Sequence, residues 1–295
     1  MKKSTTPVGI IGLGIMGGAM AEALLAAGRP VAGCDPAAAA ARRLKRAGGR
    51  PLESGAAVAR SASLLITSLP SSEALEAVAA EIAGVQRRGG VVVEMSTLPL
   101  ADKERARRRL ARSGWTMLDC PVSGTAVRLK ERTWTIFASG ERRAFARARP
   151  VLRVFTENIP HVGEYGNGMK MKMIANHLVA ILNVASGEAL TFARRMGLDA
   201  RQVWQLFGAS PVVGTGVFRL RGGFMVKRRY RPPTMKVAVW QKDMRVIGDM
   251  ARAVGSATPL FGACGPIYDA AMKQGFGDAD TASVCEVIAG RRRRD

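Results

Sequence analysis

Histidine is almost missing from this chain: His161 and His177 are the only two in 295 residues. With so few, and no clustering of His, Cys and acids along the sequence, a metal site is not expected. Cysteine is scarce as well. Cys34, Cys120, Cys264 and Cys285 follow neither metal-ligand nor disulfide-framework spacing, and read as reduced core residues. Aromatic residues make up 5 %, and none is regularly interleaved with basic ones, as single-strand nucleic-acid binding would favour. No uninterrupted apolar run reaches the ~18 residues of a membrane span. The basic start, MKKSTTP, leads into a glycine-punctuated segment instead of a signal-peptide core, so the expected location is cytoplasmic, with no membrane partner.

Acidic residues are also few: 23 Asp and Glu stand against 45 Lys and Arg, for a net charge of +22. The arginines cluster in KERARRRLAR (103–112), ERRAFARAR (141–149), VKRRYR (226–231) and the RRRR tail. Two readings are open. The clusters mark a nucleic-acid or anionic-membrane surface, or they are solvated helix faces whose field attracts anionic substrates. Without aromatic interleaving the second is favoured and nucleic acid is not the expected partner.

What is present is 47 % hydrophobic residues, enough for two cores in a chain of this length. The first half alternates short apolar runs with helix-forming stretches. VGIIG (8–12), VAGCD (31–35), LLITSL (64–69), VVVEMS (91–96), WTMLDCPV (115–122) and WTIFASG (134–140) predict strands of a parallel sheet covered on both faces. After residue 163 the strands stop. A long apolar helix is expected from Gly168 to Met196, with Gly197 as its stop, and it is too apolar all round for a surface element. Asp199 with Gln202 reads as a capping box, and further helices fit 236–254 and 259–274. The expected fold is α/β: an N-terminal Rossmann-type doubly wound sheet over 1–165, then an all-α domain over 166–295, joined by a long interdomain helix.

Chemistry begins at VGIIGLGIMGGAM. Gly12, Gly14 and Gly17 form G-x-G-x-x-G directly after a strand and opening a helix. The first glycine permits a tight turn, the second lets a pyrophosphate approach the backbone, and the third lets helix and strand pack closely. The next strand ends in Asp35, 18 residues beyond Gly17, placed to accept hydrogen bonds from adenosine ribose hydroxyls. The cofactor-binding set therefore includes Gly12, Leu13, Gly14, Ile15, Met16 and Asp35. A carboxylate at Asp35, followed by Pro36, favours NAD over NADP, although Arg42 and Arg43 further along the helix leave NADP open.

Six motifs in order then resemble the β-hydroxyacid dehydrogenase family: GLGIMG (12–17), SLP (68–70), ST (96–97), DCPVSG (119–124), G-x-G-x-x-x-K-x-x-x-N (166–176) and QKDM (241–244). This family includes the 3-hydroxyisobutyrate, tartronate semialdehyde and 6-phosphogluconate enzymes. The resemblance implies an NAD(P)-dependent oxidoreductase that interconverts a short β-hydroxy acid and its semialdehyde or keto form. It implies that Ser68, Leu69, Pro70 and Thr97 line the cofactor, with Lys242 closing the nicotinamide side. Ser123, Gly124, Thr125 and Asn176 would hold the substrate, Lys172 would be the general acid/base, and Asn176 and Ser123 would complete the catalytic set. It also implies a homodimer or homotetramer acting on a small anionic hydroxy acid.

The residues themselves make sense of this. Lys172 and Asn176 are four apart and share one helix face, whereas Lys170 points away. A lysine serves as base only where burial or a neighbouring positive charge favours its neutral form. The chain also departs from the family pattern. Thr125 replaces a glycine, Arg132 stands at a glycine position, Trp134 at a leucine position, and Ala175-Asn176 replaces Asn-Asn. Arg132 is read as a surface arginine on a rebuilt turn in preference to a second anion contact. His161 and His177 read as packing residues. Two alternatives remain: an imine reductase on the same scaffold, whose members generally lack a lysine at position 172, and a non-catalytic basic dinucleotide-binding protein with an acidic partner.

Overall fold

The computed structural model describes residues 6–124, 129 and 131–291. It divides into two compact units, one up to Lys172 and one from Met173 on. The first unit begins with β1 (Val8–Ile11), α1 (Ile15–Ala26), β2 (Val31–Cys34), α2 (Ala38–Arg46), β3 (Arg50–Pro51) and α3 (Gly55–Ser61). It continues with β4 (Leu64–Thr67), α4 (Ser72–Ala83), β5 (Gly90–Glu94), α5 (Leu100–Ala111) and β6 (Trp115–Asp119), then β7 (Val122–Ser123), β8 (Thr135–Ile136) and α6 (Arg142–Leu152). Six strands form one parallel sheet in the order β3-β2-β1-β4-β5-β6. That order reverses direction beside β1, the arrangement in which ligands bind beyond the carboxyl ends of the strands.

The apolar runs explain this sheet. A strand buried on both faces has no polar side to alternate with, so β1, β2 and β5 are buried at every residue. Successive residues of β5 serve opposite cores. Val91 and Val93 join Met20, Leu24, Leu44 and Leu152, while Val92 joins Val58, Leu75, Ile82 and Leu110.

Two expectations need correction here, and one strand is unexpected. WTMLDCPV is not one strand, because Cys120-Pro121 separates β6 from β7, and a proline supplies no ladder donor. WTIFASG does not join the parallel sheet; its Thr135–Ile136 pairs antiparallel with Val122–Ser123. The short β3 lacks an apolar run, and its pairing with β2 is what makes it a strand.

The element α7 (Asn167–Arg195) runs through the division between the units. The second unit then contains α8 (Ala200–Ala209), α9 (Gly223–Lys227), α10 (Val237–Ala253), α11 (Pro259–Lys273) and α12 (Val284–Ile288). Its described residues hold no strand. Gly197, Gly255 and Gly275 follow helix ends with positive φ, as stop residues should. Asp199 does cap α8, but through the Arg201 N–H at 2.9 Å. The expectation that α7 is too apolar for a surface is corrected: Ile174, Leu178 and Phe192 are exposed. An 18-residue window of α7 reaches a mean hydropathy of 1.3, enough by length and composition for a span, although no single apolar run does. Asn183, inside that helix, is wholly buried and donates to Tyr268 Oη and the Thr281 carbonyl, both at 2.9 Å, which suits a core helix of a folded unit.

Candidate active site

The glycine loop is built by close approach. Gly12 has φ +88°, and a Cβ there would meet the Ser68 carbonyl oxygen at 2.2 Å. A Cβ on Gly17 would lie 1.8 Å from the Gly12 carbonyl oxygen. Gly14 is different: nothing stands within 4 Å of where its Cβ would be, so the space beside it is open to a ligand. Next to it, the N-terminus of α1 has no side-chain cap and no acid in its first turn, and Ile15 is 84 % exposed. Open space at the second glycine and an uncapped helix start fit a dinucleotide pyrophosphate. Met16 is half-buried behind them, packed on the sheet core.

Asp35 leaves β2 and turns back to this loop. Its Oδ2 accepts the Leu13 N–H at 2.7 Å, and its Oδ1 accepts the Ala37 N–H at 2.8 Å. The loop and the acid are thus one hydrogen-bonded piece. Arg43 joins it, donating to the Leu13 carbonyl at 3.0 Å.

Ser68, Leu69 and Pro70 follow β4. The Ser68 N–H donates to the Ile11 carbonyl at 3.0 Å, which sets this loop beside the glycine turn. The Leu69 N–H donates to Ser96 Oγ at 2.8 Å, so Ser96 ties the loop after β4 to the loop after β5, where Thr97 is half-buried. The structure therefore brings Gly12, Leu13, Gly14, Asp35, Ser68 and Leu69 to the carboxyl ends of β1, β2 and β4.

Ser123 is half-buried on β7 opposite Thr135. Gly124 has φ +152°, and a Cβ there would strike the ring of Trp134 at 2.3 Å. The bulky tryptophan at a leucine position is thus accommodated under a glycine, with Trp134 wholly buried. Thr125 lies outside the described residues. Arg132 has φ +54°, the left-handed conformation that suits the glycine it replaces. Its guanidinium donates to Glu157 Oε1 and to the Arg153 carbonyl, both at 2.8 Å, so it closes a surface turn.

Lys172 is half-buried on α7 at the end of the first unit, and Lys170 is exposed with its ammonium on Asn167 Oδ1 at 3.2 Å. One turn past Lys172, Asn176 is buried in the second unit, and its Nδ2 donates to Asp243 Oδ2 at 2.9 Å. Asp243 is buried on α10, and the half-exposed Lys242 ammonium stands 4.0 Å from its carboxylate. His161 Nε2 lies 2.9 Å from the Gly140 carbonyl oxygen, and His177 stacks on Phe261 at 5.2 Å; both are packing residues. Among the described residues no group of three His, Cys, Asp or Glu side chains could hold a metal ion.

This arrangement, a doubly wound sheet with a glycine loop and an acid just after β2, is that of a dinucleotide-binding protein. Residues 7–163 match the NAD-binding domain of 6-phosphogluconate dehydrogenase, and residues 166–288 match the NAD-binding region of NADP-dependent 3-hydroxyisobutyrate dehydrogenase. L-Threonate dehydrogenase of Cupriavidus necator is 31 % identical over 287 residues, covering 96 % of each chain. 2-Hydroxy-3-oxopropionate reductase of Escherichia coli is 29 % identical, covering 95 % of this chain and 96 % of its own. The solved structure of Mycobacterium tuberculosis 3-hydroxyisobutyrate dehydrogenase with L-serine superposes with a TM-score of 0.86 at 26 % identity, over 97 % of this chain and 99 % of that one. The chain belongs to the β-hydroxyacid dehydrogenase family within the 6-phosphogluconate dehydrogenase superfamily. It is an NAD(P)-dependent oxidoreductase of hydroxy acids.

Sequence reasoning missed one group in the first unit. Lys103 stands in sequence among the arginines of KERARRRLAR, yet it is wholly buried, with its ammonium 2.7 Å from Glu94 and 2.6 Å from Asp119. A signal was present. Lys103, Ala106 and Leu110 share the inward face of α5, and two acids end neighbouring strands in register, Glu94 opposite Asp119.

Proposed function

We propose that this chain interconverts a short β-hydroxy acid and its semialdehyde or keto form, with Lys172 as the general acid/base. The observation that carries this is the face of α7 on which half-buried Lys172 and buried Asn176 stand one turn apart, the asparagine held in orientation by Asp243. A bound nicotinamide supplies the two-electron acceptor or donor. Lys172 takes the hydroxyl proton as the alcohol is oxidised, and returns a proton to the carbonyl oxygen in reduction. The Asn176 amide gives one Nδ2 hydrogen to Asp243, which fixes its orientation and leaves its oxygen and second N–H to orient the substrate. Ser123 and the Gly124 backbone meet the substrate carboxylate, together with Thr125. Thr97 would line the dinucleotide, and Lys242 would serve its nicotinamide side.

In this reading residues 1–165 bind the dinucleotide and residues 166–295 complete the substrate site. Asp35 favours NAD, because a carboxylate accepts from a free 2′-hydroxyl and repels a 2′-phosphate. Arg43, fastened to the same loop, is the group that admits NADP. The named relatives act on L-threonate, 2-hydroxy-3-oxopropionate and 3-hydroxyisobutyrate, which supports a short anionic substrate. The protein works in the cytoplasm as a homodimer or homotetramer. The apolar side chains that α7 exposes, Ile174, Leu178 and Phe192, support an association through that stripe.

The test is a 340 nm assay with NAD⁺ or NADP⁺ and 3-hydroxyisobutyrate, 3-hydroxypropionate, glycerate, L-serine and threonate, with wild type beside Lys172→Ala. Turnover of one acid that Lys172→Ala nearly abolishes, with dinucleotide affinity retained, is the expected result. Turnover that survives in Lys172→Ala would refute the role of the lysine.

A further inference from the structure

A lysine sealed inside a sheet-and-helix core is rare unless something holds it there. Lys103 has two partners, and each has a second task. Asp119 gives Oδ1 to the ammonium at 2.6 Å, and its Oδ2 accepts the Met169 N–H at 2.7 Å. Glu94 gives Oε2 to the ammonium at 2.7 Å, and its Oε1 accepts the Ser96 N–H at 2.9 Å. Two carboxylates and one ammonium leave a net negative charge in a buried interior, and such a charge persists only where other donors face it.

Those donors belong to the segments that carry function. Met169 lies in the first turn of α7, where the exposed N–H groups and the helix dipole favour an anion. Ser139 completes this side: its Oγ accepts the Gly168 N–H at 3.0 Å and donates to the Asp119 carbonyl at 3.0 Å. A Cβ on Gly168 would lie 2.3 Å from the Phe137 carbonyl oxygen, so the helix start is seated directly on neighbouring backbone. Lys172 is three residues beyond Met169. On the other side, Ser96 passes the connection on by accepting the Leu69 N–H. Burial alone would lower the pKa of Lys103, but the carboxylates of Asp119 and then Glu94 outweigh it and hold it raised, so the ammonium stays charged.

We infer that Lys103 is a positioning residue that sets the start of the Lys172 helix relative to the Ser68–Pro70 loop, holding Asp119 against one and Glu94 against the other. This rests on the proposed roles of Lys172 and of the Ser68–Pro70 loop, and goes beyond them by giving the two a common anchor. The anchor has separable arms. Asp119 governs the acid/base, and Glu94 governs the cofactor loop.

The experiment measures kcat on the acid found in the panel and NADH affinity by fluorescence titration, using full-length Asp119→Asn, Glu94→Gln, Lys103→Met and Lys172→Ala. Thermal melts confirm that each variant is folded. Asp119→Asn is expected to lower kcat by up to about 100-fold, the scale of an ångström-sized misplacement, with NADH affinity nearly unchanged. Glu94→Gln is expected to weaken NADH several-fold with a smaller loss in kcat, and Lys103→Met to lose both. If Lys103→Met does not fold, the two carboxamide variants still decide, since both keep the ammonium. Equal losses in both parameters for Asp119→Asn and Glu94→Gln, or none in either, would overturn the inference while Lys172→Ala stays inactive. An active Lys172→Ala would instead overturn the reading on which it rests.

Discussion

The two units of this protein solve the same packing problem with different materials. In the first, continuous apolar runs make strands buried on both faces, and the backbone ladder satisfies the polar groups. The loops at the strand ends carry the glycine turn and Asp35. In the second, helices satisfy their own backbones, and buried polar side chains fix how they meet: Asn176 on Asp243, Asn183 on Tyr268, Arg221 on Asp280. Hydrophobic contact is non-directional, so a helical unit needs such ties to choose one register where a sheet has its ladder. The first unit has such ties too, among them the Lys103 cluster, which connects through Glu94 and Ser96 to the loops after β4 and β5.

The sharpest way to break the comparison is at the glycine loop. Gly17→Val puts side-chain atoms where the Gly12 carbonyl already stands, with a first Cβ contact of 1.8 Å. It is expected to abolish dinucleotide binding, which loss of NADH fluorescence enhancement would report, and to lower the melting temperature of the first unit.

Next in size is Asp280. It is wholly buried and receives Arg221 Nη1 at 2.9 Å, the Thr234 N–H and hydroxyl at 2.7 Å, and the Ala282 N–H at 3.0 Å. Burial alone would raise its carboxyl, but Arg221 and these donors outweigh it and hold the pKa lowered. A lowered folded-state pKa contributes stability above the unfolded value, and that stability is lost as pH falls through the folded value. Asp280→Ala, which strands Arg221, is expected to cost about 3–5 kcal/mol in urea melts at neutral pH. The loss should shrink below about pH 4, where the unfolded wild-type carboxyl is itself protonated. A loss that stays constant with pH would mean the carboxylate charge contributes nothing.

The exposed stripe on α7 is a smaller lever on stability and a larger one on assembly. Phe192→Asp is expected to shift light-scattering mass from oligomer to monomer with little change in monomer helicity. The smallest effect belongs to Arg132→Gly. The exposed pair with Glu157 contributes ~0–1 kcal/mol, and glycine removes the left-handed strain, so the melt should move little. The ranking of acids in the panel should not change; a reordered ranking would restore Arg132 as a substrate contact.

Much of the first unit was legible because its signals are local. An apolar run between helix formers is a buried strand, and Gly12, Gly17 and Asp35 sit where close approach leaves few alternatives. The sheet's edges were less legible. Strand β3 has no pattern of its own, and WTIFASG looks like any apolar strand until Pro121 interrupts its neighbour. Lys103 was hidden by company: seven of the nine residues after it are Arg, Lys or Ala, so a charged cluster masked one inward-facing position. Asp243 was visible only as a neighbour of Lys242, because nothing in QKDM says that the acid would meet Asn176.

The sequence by itself determined the parallel sheet, the dinucleotide loop, the long helix and the spacing that puts Lys172 and Asn176 on one face, since each depends on periodicity or steric demand within a few residues. Only the tertiary structure decided which polar groups meet across distance. It set Lys103 between Glu94 and Asp119, Asn176 on Asp243, and Arg132 on Glu157. A buried charge selects its partner by proximity in the folded chain, and that proximity is written in no single stretch of residues.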